Sequence, residues 1–509
     1  MLITLYLIGT TLLFKALGFA REVLVAQFYG TGPVTDAYVI ANSIPTVLIQ
    51  ALGTALAATF IPVFARVENE AGKVRAEEFT LRLLLLVFFI CTVMVGVGEV
   101  FSHQLVRLFA PGFYGETLIF TDRFVSILLP CLIFMSIMNI LGAYLQYHQQ
   151  FRVIGVVPAV GNLVIIIALL AANYIGDPVL FVWGTLLGIC SQVLFYVYSI
   201  RRNHLWHIPL RWSSLMFRDK YVKMLLPLLL PVFVGSAVNE INTVVGKSLA
   251  SGFSGGSVAA LDYAGKLVMI ISSVLLGGLT TVFFPDLAKA AVRRNMPRFT
   301  ELATKLNSVV VLVLLPIMAE TIFFRREIVT MIFRRGAFDE TAVELTAAIL
   351  IFFSLGLVGM GIREILTKMF YAMQDTKTPM KNGVACALLN ILFSVVLARY
   401  IGVCGLGLAA SLAAVIAAVN LWRKAVCRGW LTCSLWDWGK VVLATAVMIS
   451  GQVFLCSMPI SEGNGSLFWA LLQAISTGLF LYGISLYGLQ HSVALSLKEK
   501  MEGKWRNRA

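Results

Sequence analysis

The feature that most constrains this chain is a series of apolar runs that recurs from one end of the sequence to the other. A helix of about 20 apolar residues crosses the hydrocarbon core of a bilayer. Only 13% of the 509 residues are charged, which is roughly half the share usual in a soluble protein. The sequence therefore predicts an all-α polytopic membrane protein with about fourteen transmembrane helices. The spans are expected at residues 2–26, 36–64, 83–102, 124–146, 153–173, 178–199, 224–246, 258–285, 308–323, 345–371, 382–399, 402–422, 441–457 and 466–490.

The basic residues are distributed unequally between the loops that alternate along this series. Of the 40 Lys and Arg residues, 27 lie in every second loop and in the C-terminal tail, 8 lie in the other loops, and 5 lie within spans. Because cytoplasmic loops carry the excess of Lys and Arg, we expect a multi-pass protein of the bacterial cytoplasmic membrane with both termini in the cytoplasm. The net charge of +14 is then a topology signal rather than evidence of a nucleic-acid partner. One loop, 325–335, objects to this count because it holds four of the eight outside charges.

Two parts of the sequence resemble each other at an offset near 225 residues. The end of span 2, ATFIPVFAR (58–66), matches the end of span 8, TVFFPDLAK (281–289). Gln146 and Asn162 similarly match Gln374 and Asn390. An offset of six spans leaves both parts with the same orientation, so we expect a pseudo-two-fold axis along the membrane normal, as in some transporters. The expected domains are a six-helix lobe at 1–200, a second at 221–425, two helices at 440–490 and a basic cytoplasmic tail at 491–509.

Ionisable residues inside the predicted spans are the best candidates for a binding site, because such residues are costly in a membrane unless they face a wet cavity or a partner. In the first lobe the candidates are Lys15, Arg21, Glu22 and Asp36. In the second lobe they are Lys266, four residues after Asp262, and Arg363. Since Arg and Lys match phosphate groups well, these residues indicate a cationic cavity for an anionic head group. Alternatively, Asp262 and Lys266 only neutralise each other, and residues near span ends extend to the interface.

Sequence signals of catalysis and of metal binding are missing. The chain has no GxxxxGK[ST], HExxH or GxSxG motif, its eight cysteines form no CxxC pair, and its five histidines have no ligand spacing. We therefore expect a protein that is not an enzyme and uses no cofactor and no metal. Transport would be driven by a gradient, by the membrane potential or by the substrate's own disequilibrium.

Three stretches resemble the MurJ/MviN family: Leu17-Gly18-Phe19-Ala20-Arg21-Glu22 with Thr35-Asp36-Ala37-Tyr38 and Ile44-Pro45, then Leu108–Phe113, and, most specifically, Gln374-Asp375-Thr376-Lys377-Thr378-Pro379. The resemblance runs from about residue 8 to residue 425. It implies a flippase of the multidrug, oligosaccharidyl-lipid and polysaccharide exporter superfamily that moves lipid II, an undecaprenyl-pyrophosphate-linked glycopeptide lipid, to the outer leaflet by alternating access. It also implies a role in peptidoglycan synthesis, cell wall biogenesis and cell shape. We expect a monomeric transporter.

The resemblance also implies roles for particular residues. Arg21 and Asp36 match family positions, Lys15 stands where the family often has Arg, and Lys266 stands at the Arg of a YADRL-like segment. Departures occur at Ile49 or Gln50, where some members have Arg, at Gly265, and at Gly246, where some members have an Asp implicated in sodium binding. These departures give no support to a sodium site, and they leave a different substrate open.

Other functions fit parts of the pattern. One alternative is a flippase for another undecaprenyl-linked glycan, such as an exopolysaccharide or O-unit, and another is a cation-coupled drug exporter. A membrane-embedded glycosyltransferase or ligase would normally have acidic or histidine catalytic residues and a sizeable outside loop. No outside loop is predicted to exceed roughly twenty residues, which disfavours that class.

Overall fold

A computed structural model of the protein describes residues 2–206, 220–432, 435–456 and 464–489. The regular structure in these ranges is entirely α-helical, as the apolar runs predict. The expected basic tail at 491–509 lies outside the described residues. The helices are α1 (Leu2–Tyr29), α2 (Pro33–Ala71), α3 (Lys73–Val100), α4 (Ser102–Phe109), α5 (Gly115–Leu128), α6 (Cys131–Tyr147), α7 (Phe151–Ile175), α8 (Pro178–Arg202), α9 (Lys220–Ala250), α10 (Ser257–Val292), α11 (Met296–Phe323), α12 (Arg325–Phe333), α13 (Glu340–Ser354), α14 (Leu357–Ala372), α15 (Lys377–Ile401), α16 (Cys404–Cys427), α17 (Leu435–Cys456) and α18 (Asn464–Gly488).

The helix order repeats along the chain. We call α1–α8 the first half and α9–α16 the second half. α5 begins at Gly115 and α13 at Glu340, 225 residues later, and α6 and α14 end at Tyr147 and Ala372 with the same offset. Each half contains one short helix, α4 or α12, between its third long helix and a bent pair. α17 and α18 follow the second half and have no counterpart in the first.

Nine described helices are long and apolar enough to cross a membrane, and two bent pairs bring the number to eleven. The pairs are α5 with α6, bent by 43°, and α13 with α14, bent by 45°. They correspond to the predicted spans 4 and 10, which the sequence pattern treated as continuous. α1, α9 and α17 have 28, 31 and 22 residues and would bring the number to fourteen, which stays a prediction.

The two bends have different local causes. Between α5 and α6 stands Pro130, which lacks the N–H needed to continue a helix. Between α13 and α14 there is no proline. Instead, the Ser411 hydroxyl of α16 donates to the carbonyl oxygens of Phe352 and Phe353, at 2.5 and 3.1 Å. Gly356 makes this approach possible, because a Cβ there would lie 2.8 Å from the Cα of Ser411.

Close packing between helices is the main stabilising interaction available in lipid, because the bilayer is as apolar as the side chains. α7 and α8 pack along their lengths. A Cβ added at Gly184 would lie only 2.1 Å from the Cβ of Ala168. The turn between these helices is also well defined: Gly176 ends α7 at φ 84°, and Asp177 caps α8 by accepting from the backbone N–H of Val179 at 3.0 Å. Small residues and a capped turn thus fix this hairpin.

The chain divides into two compact units. The first comprises Met1–Ala259 together with Arg335–Asp339, and the second comprises Ala260–Arg334 together with Glu340–Ala509. In the first unit, α2 packs against α5, α6 and α9. In the second, side chains of α10, α11, α14, α16, α17 and α18 form one apolar core. The assignment of lobes at 1–200 and 221–425 and of a helix pair at 440–490 stays a prediction.

The loop that objected to the predicted topology contains α12 and is rich in ion pairs. Arg326 contacts Glu340 at 2.5 Å and Glu344 at 3.1 Å, and Arg334 contacts Glu340 at 3.2 Å. These side chains are exposed, so each pair adds little stability. The acidic residues that follow this loop nevertheless neutralise part of its positive charge, which weakens the objection.

Candidate functional site

Arg21 lies on α1, where it is held by two side-chain contacts. Its Nη1 donates to Oδ1 of Asn162 on α7 at 3.0 Å, and its Nη2 donates to Oε1 of Glu22 at 2.5 Å. The side chains of Arg21 and Glu22 are 26% and 14% exposed. α1 packs against α7, and Gly18, one turn before Glu22, leaves room for Asn162, since a Cβ at Gly18 would lie 3.3 Å from the amide nitrogen. The guanidinium is therefore fixed in orientation and half-buried.

Asn162 was not predicted as a site residue. A lone Asn in an apolar run gives no strong signal of its own, and its contact with Arg21 joins residues 141 positions apart. The repeat did hold a clue, because Asn162 matches Asn390 of the second half. We add Asn162 to the candidate site as the residue that positions Arg21.

The structure treats the other predicted residues of the first unit differently. Lys15 lies in α1, but its side chain falls outside the described residues. Asp36 is only 1% exposed. Its two carboxylate oxygens accept from the backbone N–H groups of Gly256 and Ala259, each at 2.7 Å, where α10 begins. Because both oxygens are taken up by these donors, the structure gives Asp36 a capping role in place of the predicted contact with substrate.

In the second unit, Lys266 is paired. Its Nζ lies 2.6 Å from Oδ2 of Asp262, one turn earlier on α10, and the two side chains are 31% and 15% exposed. This is the neutralising pair that the sequence offered as an alternative. A ligand phosphate at Lys266 would have to share the ammonium group with Asp262.

Arg363, on α14, is held in another way. It is half-buried, and its Nη1 lies 3.6 Å from the sulfur of Cys386 on α15. Among the described residues it has no carboxylate partner. The next cation on the same helix, Lys368, is paired with Glu364 at 3.1 Å and donates to the Thr280 hydroxyl at 3.0 Å. Arg363 is therefore a cation of an apolar helix whose charge no described carboxylate neutralises.

The Gln374–Pro379 stretch forms the turn between α14 and α15, which we call the second elbow (373–376). Asp375 accepts from the backbone N–H of Thr378 at 3.0 Å and from Nη1 of Arg428 at 2.7 Å. These donors, the backbone N–H first, lower the pKa of Asp375 to about 2. The Arg428 guanidinium also lies over the rings of Phe370 and Trp430, 5.1 and 4.9 Å from their centroids. The most specific motif of the sequence thus stabilises a turn.

Taken together, these side chains can hold an anion. Arg21, Lys266 and Arg363 carry charge inside long apolar helices, and Arg can bind phosphate oxygens in bidentate fashion. In two of the three cases a carboxylate of the same helix already compensates the cation. Such compensation keeps the empty site inexpensive and lets an anionic head group compete for the cation without covalent chemistry.

Comparison with known proteins adds to this geometry. A sequence profile described as lipid II flippase MurJ matches residues 25–472. The chain belongs to the MurJ family. Similar relatives include the probable lipid II flippase MurJ of Rhizobium tropici, 29% identical over 455 residues that cover 87% of this chain and 84% of the relative. The lipid II flippase MurJ of Burkholderia cenocepacia is 25% identical and covers 88% and 89%. The resemblance seen in the sequence is thereby confirmed.

Solved structures support the fold. A structure of lipid II flippase MurJ in an inward closed conformation superimposes with a TM-score of 0.81 and 24% identity, covering 94% of this chain and 98% of that one. An inward-facing multidrug resistance transporter of the MATE family gives a TM-score of 0.70 at 15% identity, with 82% and 94% covered. The predicted fold class, an all-α polytopic membrane protein, is confirmed.

Proposed function

We propose that this protein is a lipid II flippase, which moves the lipid-linked peptidoglycan precursor from the cytoplasmic to the outer leaflet. The observation that carries the proposal is the family match over residues 25–472. The cations of the apolar helices supply a physical reason, since the pyrophosphate of such a lipid needs a positively charged site and its tail needs an apolar surface. Flipping requires no covalent step, which fits a chain without enzyme motifs.

In the proposed mechanism, Lys15, Arg21, Lys266 and Arg363 bind the anionic head group. Glu22 and Asn162 orient Arg21, and Asp36 holds the start of α10. We infer that the two six-helix lobes alternate between states open to either side, as in other transporters built from repeats. Binding of the head group in both states keeps its charge out of the hydrocarbon while the tail stays in lipid.

We also propose the position of the chain in the cell. It would lie in the cytoplasmic membrane of a bacterium as a monomer, with both termini in the cytoplasm, because the loops on that side hold 27 of its 40 basic residues. A reporter domain that is active only in the cytoplasm, fused after Ala509, should be active. An inactive reporter on a protein that still functions would reverse the topology.

The decisive experiment uses cells from which every other lipid II flippase has been depleted. Outer-leaflet lipid II is measured with a reagent that cannot cross the membrane. Cells that express this chain should regain outer-leaflet lipid II, and cells with an empty vector should not. If the chain is present in the membrane and lipid II stays in the inner leaflet, the proposal fails.

A second experiment distinguishes lipid II from other polyprenyl-linked glycans. Purified protein in vesicles is given either lipid II or an undecaprenyl-pyrophosphate-linked glycan without peptide, and the rate of leaflet exchange is compared. Faster exchange of lipid II supports the proposed substrate. Exchange of the peptide-free glycan alone would identify a flippase for another glycan.

A further inference from the structure

A carboxyl group lies buried where three helices of the second unit meet. Glu320, on α11, is only 6% exposed, and Gln452, on α17, is fully buried. Nε2 of Gln452 donates to Oε1 of Glu320 at 2.5 Å and lies 3.3 Å from the carbonyl oxygen of Ala474 on α18. This group belongs to no feature of the proposed substrate site.

The pair has unmet hydrogen-bonding capacity. Oε2 of Glu320 and Oε1 of Gln452 are buried atoms without a partner. Gly478 brings α18 against them, because a Cβ there would lie 2.0 Å from Nε2 of Gln452 and 2.7 Å from Oε1 of Glu320. Two acceptor oxygens are thus enclosed at a place where the helices approach closely.

No cation compensates the carboxyl group. Among the described residues, no basic side chain lies within ion-pair distance of Glu320, and α18 contains no charged residue. The charged groups on the neighbouring helices are engaged elsewhere: Arg325 with the carbonyl oxygen of Ile322, Arg326 and Arg334 with Glu340 and Glu344, Lys368 with Glu364, Lys440 with Asp437, and the hydroxyl of Tyr482 with the carbonyl oxygen of Leu312. Glu327 of α12 and Arg363 of α14 also make no contact with it.

An ionised carboxylate in such surroundings is more costly than a neutral one, so a buried acid without a partner takes up a proton instead. We propose that Glu320 and Gln452 form a proton-binding site that is occupied in the folded protein at neutral pH. A bound proton removes the charge and provides an O–H donor beside the amide. The site goes beyond the proposed flippase activity and does not depend on the identity of the lipid.

The site connects the extra helix pair to the second half. α17 and α18 stand outside the repeat, yet both contact the carboxyl group that α11 contributes. Loss of the proton would place a charge between three packed apolar helices and would weaken the docking of α17 and α18 on α11. Protonation of Glu320 therefore controls how firmly this pair is held.

Infrared spectroscopy of the purified full-length protein in lipid vesicles tests the proposal. At neutral pH, the difference spectrum of wild type minus Glu320→Gln should contain the C=O stretch of one protonated carboxylic acid. The matched control, Glu364→Gln, removes a carboxylate that is paired with Lys368 and should remove no such band. A wild-type spectrum that has no acid band absent from Glu320→Gln overturns the proposal.

Thermal unfolding provides a second readout. A proton held in the folded state but not in the unfolded state makes stability fall as pH rises. Tm of the wild type should fall from neutral to alkaline pH more than Tm of Glu320→Gln does, and equal slopes would overturn the proposal. If added Na⁺ raises Tm of the wild type alone and the acid band is missing, the two oxygens bind a metal cation, which also overturns it.

A second variant keeps the test available if Glu320→Gln does not accumulate. Gln452→Leu retains the carboxyl group and removes its amide partner. The acid band should remain and move to higher frequency because the hydrogen bond to the amide is lost. An acid band that is missing in both the wild type and this variant would contradict the proposal. None of these readouts depends on lipid transport, so a failure of the flippase proposal would remain distinguishable.

Discussion

Arg21 in the first half and Arg363 in the second half are both cations of apolar helices, but they are held differently. Arg21 donates to Glu22 and Asn162, whereas the described contact of Arg363 is with the sulfur of Cys386. With the offset of 225 residues, the position equivalent to Arg363 is Met138, an apolar residue. The repeat thus reproduces the helices and not the charges. This difference indicates that helix order follows from duplication and that the polar side chains were set separately in each half.

The largest expected effect comes from removing the compensated cation. In Arg21→Ala, the flipping rate should fall by about 10- to 150-fold, because hydrogen bonds to charged groups are worth about 1.5–3 kcal/mol. Stability should fall as well, since Glu22 keeps its half-buried charge and loses a cation. Leaflet exchange of lipid II and the thermal unfolding of the purified protein measure the two effects.

The control for this variant is Arg298→Ala, which removes a surface arginine that is 53% exposed and paired with Glu301. It should change neither the flipping rate nor Tm appreciably. Full activity of Arg21→Ala would exclude Arg21 from the substrate site. Unchanged stability with lost activity would mean that Glu22 does not depend on Arg21, and the contrast with Arg363 would narrow.

Arg363→Met should separate activity from stability. Flipping is expected to fall by about tenfold, the effect of losing roughly 1.4 kcal/mol of interaction with the head group. Stability should stay equal or rise, because no described carboxylate is left without a cation when the guanidinium is removed. The same two assays apply. A marked fall in Tm would show that Arg363 has a structural role and would break the comparison with Arg21.

The sequence predicted much of the fold and less of the site. Long apolar runs and the matches around Pro62 and Pro285 were sufficient for the spans and the repeat, because lipid forces the backbone into helices. The bend at Gly356 could not be predicted, since its carbonyl groups are satisfied by Ser411, a residue of another helix. The capping role of Asp36 and the contact of Asn162 with Arg21 likewise depend on residues more than 140 positions away. Such contacts leave no local pattern.

A second difference between the halves concerns their elbows. We call residues 148–150, which connect α6 and α7, the first elbow. Each elbow contains a Gln with positive φ, 57° at Gln149 and 60° at Gln374, so the backbone turns alike. The first elbow packs the ring of His148 against Phe64 and Tyr144, whereas the second is tied by the ionised side chain of Asp375. The two elbows should therefore respond to acid in different pH ranges.

At the first elbow, burial lowers the pKa of His148, which the neighbouring Glu68 and Glu77 only partly offset. A histidine that resists protonation in the folded state contributes stability that is lost as pH falls below the usual value of about 6.5. Its Nε2 is buried without a partner. His148→Phe should keep the ring contacts, raise stability by up to about 1 kcal/mol, and reduce the loss of Tm between about pH 7 and pH 5. An unchanged pH dependence would contradict this account.

At the second elbow, the effect should be smaller and should occur at lower pH. The pKa of Asp375 is lowered to about 2 in the folded state, against about 3.9 in an unfolded chain. The stabilisation is therefore complete above about pH 4 and is lost as pH falls towards 2. Because the pair with Arg428 is largely exposed, it contributes at most modestly. Asp375→Asn keeps the shape and an acceptor for the N–H of Thr378, so it should lower Tm slightly at neutral pH and reduce the acid dependence below pH 4. The matched variant His148→Phe should leave that low-pH range unchanged. If His148→Phe instead alters it, or if Asp375→Asn changes the range near pH 6, the elbows are coupled and the halves do not respond separately.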